Sequence, residues 1–223
     1  MELKEYLNIN FPGLVLKPSL YYQWDIGIHF ELGNEIYQFK SGKDQLNLNR
    51  FERVYSQALS IFNDLFSLDD QIILVTNVYQ YKAYKNRRQR IKVYDRYIKN
   101  KDLKFHLKQE TLPYMFGEEE EADEYSTSRF YLHCRKQDIR YALLIKAACN
   151  EDFPLKPKFG GGKGFYYPDL FFVNVTKDII FFIYDDRGCE VISSNKEAIR
   201  STYEKYYNWV DENYREEIDQ RFN

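Results

Sequence analysis

Four carboxylates in the last third of the chain have side chains suited to chemistry: Asp169, Asp185, Asp186 and Glu190. Carboxylate oxygens of this kind hold divalent cations and, with them, activate water against phosphate esters, provided they converge within bonding distance. A metal nuclease also places a lysine shortly after its second carboxylate on the same strand. Here Val191 and Ile192 follow Glu190, so that arrangement is absent. The same residues can instead make a turn network in which Arg187, with five donors in a fixed fork, pairs with an Asp. No catalytic residue, metal ligand or cofactor is assigned from this pattern. Tyr184, Asp185, Asp186, Arg187 and Gly188 stand as the candidate motif.

Other groupings are weaker. Asp25, His29 and Glu31 alternate along one face of an expected strand, and His133 lies on the polar face of another beside Tyr131 and Arg135. If those strands are neighbours, an acid-base cluster results; the plainer expectation is ordinary surface histidines. Gly160-Gly161-Gly162-Lys163-Gly164 has the composition of a phosphate cradle. A P-loop, however, needs Ser or Thr after its lysine and a helix to follow, and Gly164 and Pro168 supply neither. Segment 82–96 is basic, with Lys85, Arg87, Arg88, Arg90 and Arg96 among interleaved tyrosines, a composition that can contact phosphates and stack bases. The competing expectation is a solvated helix face that meets the acidic run 118–124. No serine-hydrolase elbow, HExxH or Cys-His motif occurs.

The elements that must carry the candidate motif are three short strands. Phe171-Phe172-Val173, then Ile179 to Tyr184, then Cys189 to Ile192 are rich in aromatic and β-branched residues, which suit a pleated, half-buried surface. Asn174 and Thr176-Lys177-Asp178 supply the first turn, and Asp185-Asp186-Arg187-Gly188 the second, with Gly188 expected at positive φ. Tyr184-Asp185-Asp186-Arg187-Gly188, with Tyr167-Pro168-Asp169 upstream and a Tyr-rich helix ending at Trp209 downstream, resembles the bacterial domain-of-unknown-function family 3885 over residues 166–209. The resemblance implies a bacterial, intracellular protein of mixed fold and gives no substrate.

Upstream, Leu3, Tyr6 and Leu7 predict a short helix ended by Pro12-Gly13. Strict alternation of Ile26, Ile28, Phe30 and Leu32 predicts a half-exposed strand, with a return strand over residues 36–39. The apolar stripe from Phe51 to Phe66 predicts a helix with Asn49 as its N-cap. A strand over residues 72–79, apolar on both faces, is expected at the centre of the sheet, in a crossover unit with the strand before it. Residues 91–98 have helical spacing. Phe130 to Cys134 predicts a strand, Asp138 a cap for a helix running to Ala148, and Ser194 with Glu197 a capping box for the helix after the meander. Tyr214, Ile218 and Phe222 predict a last helix. These elements make an α+β fold: a mixed, largely antiparallel sheet with helices on at least one face and a C-terminal meander followed by two helices. One domain over residues 1–223 is expected, with a subdivision into 1–112 and 125–223 across the acidic loop 113–124.

Composition narrows the function classes. Net charge is −2, which removes a global basic field for nucleic acid. The three cysteines, Cys134, Cys149 and Cys189, are far apart, against a disulfide framework or a cysteine zinc site. The N-terminus lacks a signal-peptide pattern and no apolar run reaches membrane-helix length, so a cytoplasmic location without membrane contact is expected. The function expected is a non-enzymatic protein-interaction module, such as a toxin inhibitor or immunity protein, with another protein as partner. The alternatives are a metal-dependent phosphate-directed hydrolase using Asp185, Asp186 and Glu190, or nucleic-acid binding through the basic segment.

Overall fold

The computed structural model describes residues 1–42, 44–82, 92–116, 122–159 and 167–223. Seven strands form one sheet in the order β1-β7-β6-β5-β2-β4-β3, and every neighbouring pair is antiparallel. The strands are β1 Gly27–Glu31, β2 Gln71–Tyr81, β3 Lys108–Pro113, β4 Tyr125–Arg135, β5 Asp169–Asn174, β6 Ile179–Ile183 and β7 Gly188–Ser193. The helices are α1 Leu3–Asn10, α2 Leu48–Leu65, α3 Lys92–Tyr97, α4 Tyr141–Cys149, α5 Glu197–Lys205 and α6 Arg215–Phe222. This is the expected α+β architecture, with the C-terminal meander β5-β6-β7 followed by helices. No helix among the described residues is long and apolar enough to cross a membrane.

Alternation along the strands gives the sheet two apolar faces. Phe172, Phe181, Leu74 and Val191 point to one, where α2, α4 and α5 cover them. Phe171, Phe182, Val75 and Ile73 point to the other, where α1 and the chain to Leu20 lie over them. Because both faces are covered, the meander strands are buried along their whole length, which is why they read as continuous apolar runs. β2 is central, paired with β5 on one side and β4 on the other. β1 and β2 run in the same direction, but three strands separate them. The connection through α2 therefore spans the sheet and does not close a local crossover unit.

Several local expectations are corrected. β1 is not half-exposed: its outer edge is closed by Val210 and Asp211, and His29 is buried. Residues 36–39 form no strand beyond an isolated bridge from Phe39 to Leu46. α2 starts at Leu48, so Asn49 lies inside the helix and Asn47 is its N-cap. Asp138 caps the short turn before α4, accepting from the Arg135 amide, because the chain passes through an extended Ile139 before helix geometry begins. Asn195, not Ser194, accepts the Glu197 amide at the start of α5. Gly188 has no positive φ; the left-handed residue in the meander is Asp178, at φ 52°.

Candidate functional site

The turn between β6 and β7 sends its two adjacent aspartates in opposite directions. Asp185 folds back on the turn: one oxygen accepts the Arg187 amide at 2.7 Å, and the other accepts Arg187 Nε at 2.8 Å and also Arg187 Nη2. The guanidinium is thus clamped by its own turn while its side chain remains 63% exposed, with Asp152 at 4.0 Å. The clamp raises the Arg187 pKa, chiefly through the hydrogen bonds to Asp185. The fork pairing expected for this arginine is therefore with Asp185.

Asp186 faces inward and meets Arg50 of α2, whose Nε donates to Oδ2 at 2.9 Å. Arg50 also donates from Nη1 to the carbonyls of Gly33 and Ile36, both at 2.6 Å, and from Nη2 to the Asp186 carbonyl at 3.3 Å. One buried guanidinium therefore ties α2, the loop after β1 and the YDDRG turn together. Burial raises the Asp186 pKa and the Arg50 hydrogen bond opposes the rise. Gln57, two turns along α2, accepts the Gly33 amide at 2.8 Å. Gly33 sits at φ +68°, and a Cβ there would lie 2.7 Å from Arg50 Nη1. At Gly188 the reason for glycine is close approach: a Cβ would lie 2.5 Å from the Phe30 carbonyl oxygen.

Neither Arg50 nor Gln57 is evident as a functional residue from its type. The signal was periodicity: Arg50, Val54, Gln57 and Ile61 follow the four-three-four spacing of the buried face, so two polar residues sit on the apolar stripe.

Behind the turn lies a buried titratable cluster. Tyr184 Oη is 3.1 Å from His29 Nε2, which is 3.7 Å from Asp211, and His29 Nδ1 is 3.7 Å from Glu190. Glu190 accepts the Leu20 amide at 2.7 Å. Burial pushes the Glu190 carboxyl up to about 7 against those backbone hydrogen bonds, and lowers His29 against the pull of Asp211. His133 is not part of the cluster, since β1 and β4 are separated by four strands. His29 instead gathers partners from β7, the turn after β6 and the strap after α5.

Asp169 is elsewhere again, hydrogen-bonded to the Tyr79 hydroxyl and pushed up to about 7 by burial. Beside it, burial and then Asp169, Asp152 and Asp185 raise Glu151 to about 8. Asp185, Asp186 and Glu190 are thus each engaged with a different protein partner. Among the described residues no group of three or more His, Cys, Asp or Glu is placed to hold a metal ion. Of the basic segment, Lys85, Arg87, Arg88 and Arg90, together with the Gly160–Gly164 stretch and Glu118 to Glu121, lie outside the described residues. Arg96 donates to the Lys158 carbonyl at 3.5 Å, and Lys82 Nζ to the Asp123 carbonyl at 2.6 Å.

A cleft of about 480 Å³ opens in front of the turn, between Tyr184, Arg187, Asp211 and the loop after β1. Tyr37, which lines it, is 84% exposed; Phe39, two residues on, is 50% exposed and packs against Phe153. The family model described as Domain of unknown function (DUF3885) matches residues 3–214, well beyond the stretch around the YDDRG turn. The "Uncharacterized protein YnaE" of Bacillus subtilis (strain 168) is 50% identical over 212 residues, 95% of this chain and 98% of that protein. No solved structure matches.

Proposed function

This chain belongs to the family Domain of unknown function (DUF3885), and we propose that it is a non-enzymatic protein-interaction module whose contact surface is the cleft in front of the YDDRG turn. The observation that carries this reading is the state of Arg187. Its guanidinium is pre-ordered by Asp185 yet exposed, and it lines the same cleft as the exposed ring of Tyr37, with exposed Phe39 two residues further along the chain. An arginine held rigidly at a surface loses little side-chain entropy on docking, and Tyr and Arg are residue types that dominate interface energetics. The engagement of Asp185, Asp186 and Glu190 with protein donors favours this use of the motif over hydrolysis, since a metal would have to compete with Arg187, Arg50 and the Leu20 amide for them. The form of the reading in which the partner is a toxin and this chain its inhibitor rests on fold-class analogy.

The test is site-specific photocrosslinking from position 37 in cells that naturally carry the protein. One discrete crosslinked partner is expected, retained when the crosslinker sits at position 37 alone and lost when Phe39→Ser and Arg187→Lys are added, with thermal stability nearly unchanged. Crosslinking that is diffuse, or indifferent to those changes, overturns the interaction reading. Stoichiometric Mn²⁺ binding by calorimetry, lost in Asp186→Ala, would replace it with the hydrolase.

A further inference from the structure

A second cavity, of about 520 Å³, lies at the other end of the sheet, where α1 and the extended chain after it pass over β3 and β4. Its apolar lining is mostly aliphatic, with Leu7 and Leu16 from α1 and the chain after it, Leu112 from β3, the flexible thioether of Met115, and one ring, Tyr114. The charged residues at it are Lys4, Lys17 and Arg129, opposed by Glu110 alone. Three cations thus face one carboxylate.

The central cation is Arg129, whose side chain is 9% exposed. Its Nε donates to Asn77 Oδ1 at 2.9 Å and its Nη2 to the Leu16 carbonyl at 3.0 Å, both neutral acceptors. Nη1 reaches only as far as Glu110 Oε1 at 3.5 Å, well beyond the roughly 2.7–2.9 Å of a charge-assisted bond. Burial lowers the Arg129 pKa, against the opposing pull of Glu110. The site therefore holds a desolvated positive charge whose carboxylate partner, Glu110, pairs at the long distance of 3.5 Å and is itself 32% exposed. Lys17 and Lys4 make no ion pair among the described residues; Lys17 Nζ stands 5.9 Å from the Phe116 ring.

We propose that this groove binds an apolar monocarboxylate, a medium-chain fatty acid, with its acyl chain along Leu7, Leu112 and Met115 and its carboxylate between Arg129 Nη1 and Lys17. One guanidinium donor and one ammonium match the two oxygens of a single carboxylate. The open, mostly aliphatic lining accommodates a flexible acyl chain. The charge excess selects an anion over an alcohol or amine of the same length. This site is separate from the cleft at the YDDRG turn and does not depend on what that cleft contacts.

Titration calorimetry on the full chain, with decanoate, decan-1-ol and octanoate each below its aggregation concentration, tests the proposal. Saturable one-to-one binding of decanoate is expected, at least tenfold tighter than decanol. Octanoate should be weaker by about fifteenfold, since it lacks two methylenes and each buried methylene contributes roughly fourfold. Lys17→Glu, at a surface position, should weaken decanoate about tenfold or more while leaving decanol unchanged. If the Lys17→Glu melt shows unfolding, Lys17→Gln is read in its place, with a smaller loss in the same direction. Equal affinity for decanoate and decanol, no response to the Lys17 variants, or no saturable binding each overturns the proposal. So does displacement of a fluorescent probe by an apolar peptide carboxyl terminus but not by decanoate.

Discussion

Arg50, beneath the YDDRG turn, and Arg129, beneath the β3–β4 end of the sheet, are both buried arginines reached through one strand face or one helix stripe, yet they are satisfied differently. Arg50 has a carboxylate at 2.9 Å and carbonyls around the rest of its fork. Arg129 has an amide oxygen, a carbonyl and a partly exposed carboxylate at 3.5 Å. The difference teaches how to tell a structural charge from an available one. A buried cation whose counter-charge comes from the fold acts as a clamp, and adding a ligand would cost a bond already made. A buried cation held mostly by neutral acceptors, with its one carboxylate at long range, keeps more of its field for an anion that can reach it.

The largest predicted effects come from making the same substitution at both sites. Arg50→Met leaves Asp186 charged and buried without its partner, and urea denaturation should report a loss of about 3–5 kcal/mol. Arg129→Met strands two neutral acceptors and the Glu110 carboxylate, which water can still reach, and should cost about 1–3 kcal/mol. Equal losses would erase the distinction drawn between the two arginines.

Next in size is Gly188→Ala, expected to cost about 1–3 kcal/mol by overpacking. A Cβ there meets Tyr184 Oη at 2.0 Å and the Phe30 carbonyl at 2.5 Å. The tyrosine could yield, but the paired backbone of β1 cannot. Tyr184→Phe in the same chain should therefore fail to rescue it; full rescue would mean that the strand pairing at this end is softer than the clamp requires.

A further effect, on the order of 3 kcal/mol, is expected from pH. Glu190, Asp169 and Glu151 have folded-state values of about 7, 7 and 8, raised by burial above the ordinary carboxylate range. Between pH 8 and 6.5 these groups bind protons in the folded chain while their unfolded counterparts stay ionised. Stability should therefore rise as pH falls through that window. Below about 6.5 the unfolded state begins to protonate His29, which burial keeps neutral in the fold, and the gain should flatten. Denaturation midpoints at pH 8, 7 and 6.5 check the sign. A fall in stability across that range would show that these carboxyls are hydrated and that the YDDRG end is not the dry one. The smallest effect is Arg187→Lys. Solvent screens this exposed pair, so the loss should stay below about 1 kcal/mol even though the fork to Asp185 is broken. A loss as large as that of Arg50→Met would make Arg187 a second clamp and remove the basis for its contact role.

Much of the frame was legible in advance where local pattern and tertiary environment agreed. The meander could be read from Phe171 to Ile192 because two covered faces demand continuous apolar strands, and α2 could be read because its stripe is long. The α+β class followed from those elements. Misreadings occurred where a few residues are held by distant ones. Strand β1 looked half-exposed because the strap at Val210 and Asp211 that buries it lies some 180 residues downstream. The caps of α4 and α5 fell one turn or one residue from their expected places, because several nearby polar residues could each serve.

By itself the sequence determined the periodicities, and through them the elements, the sheet-forming C-terminal third and the tight turn with its carboxylates and arginine. These are local properties, written in neighbours three, four or two residues apart. Only the tertiary structure decided which carboxylate meets which cation. Asp185 and Asp186 are chemically identical and adjacent, yet one clamps an exposed arginine on its own turn and the other a buried arginine 136 positions earlier in the chain. Pairing of charges depends on distances set by the packing of α2 and the β1 loop against the sheet, and Coulomb energy in a dry interior depends on those distances and on what water is excluded.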